Sequence, residues 1–135
     1  MGLKNYQLQA IKTAALILAA ITPLVVALLL TKGKIGGEFF AILIWDISPY
    51  VCFFVVTALV ERFSTIPRIL HINAAIAVLI LVFSVWAYSL ALDKTDTSEL
   101  IFIFGPVWVY VVSFFALGMT CLAIRLSARA NENIP

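Results

Sequence analysis

Asp46 is the residue of this chain best suited to chemistry, because it is charged and stands inside an apolar stretch. It lies seven residues past the start of the run 39–60, about 10 Å along a helix that rises 1.5 Å per residue. A carboxylate at that depth in hydrocarbon is costly, and such groups face a bundle interior or a water-filled cavity. Three roles compete. The carboxylate could take a proton or a cation, or it could tie helices together by hydrogen bonds. Alternatively, Ser48-Pro49 could cap and open a helix, which would leave Asp46 in interfacial water. The segment 49–60 alone is too short to cross about 30 Å of hydrocarbon, so a helix running through Pro49 with a kink is the expectation.

Counting depth from the middle of each apolar run brings few groups to the level of Asp46. They are Thr22 in the first run, Ser84 and Tyr88 in the third, and Tyr110 and Ser113 in the fourth. Ser48 stands two residues away in the same run. Pro23, Pro49 and Pro106 fall in the same half and free the carbonyls of Ala19, Trp45 and Phe102. Asp46, Thr22, Ser48, Ser84 and Tyr110 therefore form the candidate intramembrane polar site, expected to open outward.

Other chemistries lack their residues. His71 is the only histidine, so one chain cannot hold a haem between two histidines. It stands near the opposite end from Asp46, roughly 15–20 Å away in depth, so the two cannot share a metal. His71 and Asn73 are expected near Arg68 or Glu61 at the interface. Cys52 and Cys121 sit singly in apolar runs, without the paired spacing of a thiol relay. There is no G-x-S-x-G, no H-E-x-x-H and no phosphate-binding glycine loop. No catalysis, no metal site and no cofactor are expected.

These residues must be positioned by elements suited to lipid. The chain has 135 residues, 64% of them hydrophobic and 12% charged, with a mean hydropathy of +1.11. A soluble domain has about 45–50% apolar and about 25% charged residues. Disorder, a disulfide scaffold and a nucleic-acid module are excluded, and a net charge of +2 is too small to suggest a polyanionic partner. Four apolar runs, at about 10–30, 39–60, 69–92 and 100–124, each reach the span of a transmembrane helix. The first is too long for a signal-peptide core, so it is expected to stay in the mature protein. Connections of about six to eight residues predict an all-α, up-down-up-down bundle of four transmembrane helices, each antiparallel to its sequence neighbour.

Local signals fit those boundaries. Ser64 or Thr65 is an expected cap of the third helix, with Pro67 in its first turn, and Thr97 or Ser98 of the fourth. Trp45, Trp86, Tyr88, Phe102, Phe104 and Trp108 read as interfacial anchors. Small residues four apart, at Ala15/Ala19, Ala87/Ala91 and Ala123/Ser127, permit close helix packing. Every charged residue except Asp46 falls in a loop, a tail or a helix end.

Orientation follows from cations. Lys4, Lys12, Arg62, Arg68, Arg125 and Arg129 flank one side, against Lys32, Lys34 and Lys94 on the other. Both termini are thus expected in the cytoplasm, in an inner or plasma membrane. With so little chain outside the bilayer, the expected function is helix contact within it, as an accessory, regulatory or immunity-type subunit. The partners would be lipid and another membrane protein or a second copy. The alternative is a small oligomeric proton- or cation-coupled transporter or channel that uses Asp46.

Overall fold

The structure, a computed structural model, describes residues 4–63, 68–93 and 98–132. They form α1 (Asn5–Leu30), α2 (Gly37–Phe63), α3 (Ile69–Asp93) and α4 (Ser98–Glu132), with no strand among the described residues. All four are long and apolar enough to cross a membrane. The caps expected at Ser64, Thr65 and Thr97, the Pro67 turn and the Ser98 side chain lie outside the described residues.

Two helices outrun their apolar stretches. α1 starts at Asn5, and α4 continues to Glu132 for 35 residues in all. Hydropathy marks the lipid-length part of a helix, whereas backbone hydrogen bonding continues through polar residues that tolerate the helical conformation. α1 ends where Lys32 and Gly33 turn to positive φ (51° and 76°) and the Gly33 amide donates to the Leu28 carbonyl. This bonding satisfies the last carbonyls of the helix, and glycine suits the left-handed conformation. α2 is continuous through Pro49, so the alternative in which a helix begins at Ser48-Pro49 is overturned. The proline removes one amide donor, and its packed neighbours hold the helix together.

The direction of the chain alternates. The starts of α1 and α3 meet the end of α2 through Lys12, Asn73 and Glu61. At the opposite end, Val26 of α1 and Ala91 of α3 pack with Phe102 near the start of α4. Lateral order departs from expectation, however. α1 packs most extensively on α3, while α2 and α3 meet at few points, so the order around the bundle is α1–α3–α4–α2. Sequence neighbours α2 and α3 therefore face each other across the bundle. The reason is side-chain size. Ala15 and Ala19 of α1 and Ala77 of α3 are buried in one cluster and let those backbones approach closely. α2 instead turns Tyr50 and Phe53 into the centre.

Candidate functional site

On α2, the inward residues Asp46, Tyr50, Phe53, Thr57 and Glu61 recur every three or four positions. That spacing follows one face of a helix. On α3, Asn73, Ala77, Ile80, Ser84 and Tyr88 recur in the same way, all of them buried. Because the two helices run in opposite directions, the sets meet in reverse order. The Tyr88 hydroxyl donates to Asp46 Oδ1 at 2.6 Å, and the hydroxyls of Tyr50 and Ser84 share a hydrogen bond of 2.8 Å. At the far end, Asn73 Nδ2 donates to Glu61 Oε1 at 2.8 Å. Between these polar rungs stand Phe53, Ile80 and Ala77, with the Thr57 hydroxyl turned back onto the carbonyls of Phe53 and Phe54. The long tyrosines thus bridge a pair of helices whose backbones stay apart.

Asp46 is 1% exposed and faces the bundle interior. Its Oδ2 has no hydrogen-bond partner. Gly105 contributes to this arrangement by its lack of a side chain. A Cβ there would stand 3.3 Å from the Tyr88 hydroxyl oxygen, so glycine lets α4 pass close to the tyrosine.

The remaining predicted site residues are not gathered around the carboxylate. Ser84 reaches Tyr50 rather than Asp46. Tyr110 donates to the Ser48 hydroxyl at 3.1 Å, and Ser48 donates to the Trp45 carbonyl, the one expected to be freed by Pro49. Thr22 donates to the Leu18 carbonyl of its own helix, a common outcome for threonine in apolar surroundings. Ser113 is buried on α4 without a partner for its hydroxyl. An open pocket shared by these groups is therefore replaced by a closed Asp46–Tyr88 contact and a separate Ser48–Tyr110 contact.

Two anchors are also reassigned. Tyr88 and Phe102 are core residues, with ring centroids 5.3 Å apart, whereas Trp45, Trp86, Phe104 and Trp108 are exposed as expected. Trp45 also donates from Nε1 to the Ile103 carbonyl, which links α2 to α4.

A second polar cluster corrects the expectation that Asp46 alone among the charged residues is immersed. Lys12 is 1% exposed, and its Nζ donates to both carboxylate oxygens of Glu61, at 2.9 and 2.8 Å. Gln9 and Asn73 donate to the same carboxylate, and the Phe54 ring lies 5.5 Å from the ammonium. A buried ion pair is tolerated where its remaining hydrogen-bonding capacity is filled, as it is at Glu61. Lys12 reads as a helix-end charge because it stands near the start of its apolar run. The helical offset from Asn73 and Glu61 was the available signal, but it required knowing that α1, α2 and α3 converge. Of the pair expected near Arg68 or Glu61, Asn73 meets Glu61 and His71 is exposed.

Neither described groove borders Asp46. The larger, of about 680 Å³, lies between α3 and α4 and is walled by Phe83, Trp86, Phe104 and Trp108 over Ala87 and Gly105. Among the described residues, no group of three His, Cys, Asp or Glu side chains is placed to hold a metal. No protein-family model, curated protein or solved structure matches this chain.

Proposed function

We propose that the chain is an integral membrane protein of four spans, with both termini in the cytoplasm, that acts through helix contacts within the bilayer. In this reading it catalyses nothing and serves as an accessory, regulatory or immunity-type subunit beside another membrane protein or a second copy. The observation that carries it is the reversed pairing of α2 and α3. One carboxylate oxygen of Asp46, the Tyr50 hydroxyl, the Glu61 carboxylate and the Asn73 amide nitrogen take partners inside the bundle, which is what register-setting contacts do. Between the charged helix ends the surface left for other molecules is largely apolar and includes Trp86, Phe104 and Trp108.

One observation favours the second reading, a small proton- or cation-coupled transporter or channel. Asp46 Oδ2 is buried and unpartnered, and buried polar atoms in that state call for a further ligand or proton. A flux assay on purified protein in liposomes separates the two. Under the helix-contact reading, wild-type protein and Asp46→Asn both leave proton and cation permeability at the level of empty vesicles. A wild-type flux that Asp46→Asn abolishes would overturn that reading in favour of the transporter.

A further inference from the structure

At the end where α1 and α3 begin, the cations divide into two populations. Lys12 is turned inward and neutralised by Glu61. Lys4, Arg62, Arg68, Arg125 and Arg129 are all exposed. Glu61, the acid that could have balanced them, is occupied inside the bundle by Lys12, Asn73 and Gln9. Glu132 is the other acid at this end, and it stands at the far tip of α4. The net charge of +2 thus conceals a strongly positive rim.

Arg125 lies at the level where α3 begins. Ile72 of α3 lines one groove with Met119, Thr120 and Ile124 of α4, so Arg125 follows where α3 begins. Arg129 stands one turn further on the same face. Exposed apolar side chains are interleaved with these cations. Tyr6 stands two residues past Lys4, Phe63 follows Arg62 with its ring 5.9 Å from the guanidinium, and Leu126 follows Arg125. Single-stranded RNA would stack on rings set among cations, but it does not need an aliphatic side chain such as Leu126 there, or helices long and apolar enough to cross a membrane. A lipid interface does, since rings and aliphatic chains settle at the acyl boundary while cations reach the phosphates.

We infer that this rim is a collar that binds the anionic headgroups of the adjoining leaflet and enriches acidic lipid around the protein. The inference rests on the membrane reading above. Each exposed cation attracts acidic lipid, and the attraction falls off within a Debye length, so the effect is local and sensitive to salt.

The test uses full-length protein reconstituted in phosphatidylcholine vesicles with trace spin-labelled phosphatidylglycerol or phosphatidylcholine. Retention in neutral vesicles after an alkaline wash comes first. Loss at that step sinks the membrane reading and this inference with it. With the protein retained, the motionally restricted fraction is expected to favour phosphatidylglycerol by roughly three- to ten-fold at low salt and to lose most of that preference at 0.5 M salt. The quadruple variant Arg62→Gln/Arg68→Gln/Arg125→Gln/Arg129→Gln should bring the preference close to one. Lys32→Gln/Lys34→Gln, at the opposite end, should remove far less of it. Equal restriction of both lipids by wild-type protein, or a preference insensitive to salt, would overturn the collar while leaving the membrane reading standing. Those two wild-type measurements decide the matter even where the quadruple variant fails to fold.

Discussion

The Asp46 carboxylate rests one oxygen on the Tyr88 hydroxyl and leaves the other buried without a partner. In water such a contact would be replaceable, whereas in a buried, low-dielectric position its loss strands a polar group. Tyr88→Phe is therefore expected to lower stability by about 1–2 kcal/mol, as measured by unfolding in mixed micelles titrated with dodecyl sulfate. Combining it with Asp46→Leu should recover most of the loss, because no buried polar atom of that pair would then be left unmatched. A Tyr88→Phe protein as stable as wild type would show that the bond contributes nothing. Gly105 belongs to the same scale, since its bare backbone gives the tyrosine room.

Helices α1, α2 and α3 are pinned together at one end by a single carboxylate. Glu61 receives donors from Lys12 and Gln9 of α1 and from Asn73 of α3. Removing one partner of a buried ion pair costs more than removing both, because the survivor keeps its desolvation penalty without its compensation. Glu61→Ala should thus destabilise the bundle by about 3–5 kcal/mol in the same micelle assay. The double replacement Lys12→Met/Glu61→Leu should come within about 1 kcal/mol of wild type or exceed it. If the double variant loses as much as Glu61→Ala, the pair stabilises the fold outright and the register role is the lesser part.

For the molecule as a whole, the proposed orientation follows from five exposed cations at one end, Lys4, Arg62, Arg68, Arg125 and Arg129. Setting Lys12 aside as internally neutralised, they still outnumber Lys32, Lys34 and Lys94 in the sequence at the other end. Reporter fusions check this. A reporter active only in the cytoplasm should work at either terminus, and one active only outside should work when inserted after Gly33. Opposite activity at the two termini would exclude an even number of spans.

Much of this protein was legible without coordinates. The four apolar runs, their alternating direction and the burial of Asp46 all follow from hydropathy, short connections and the cost of placing a charge in apolar surroundings. Tyr50 was missed although it stands four residues from Asp46, because an aromatic residue in an apolar run reads as core or anchor alike. Lys12 read as a helix-end charge, and Thr22 as a neighbour of Asp46, because depth along a helix was known and azimuth was not. Only the tertiary structure decided which helices are neighbours. A sequence carries the period and length of each helix, but the lateral order depends on how side chains of different size fill one shared interior. Small alanines draw α1 onto α3, and tyrosines reach across to join α2 with α3. That order determines that Asp46 meets Tyr88, that Glu61 meets Lys12, and that the remaining cations are left facing outward.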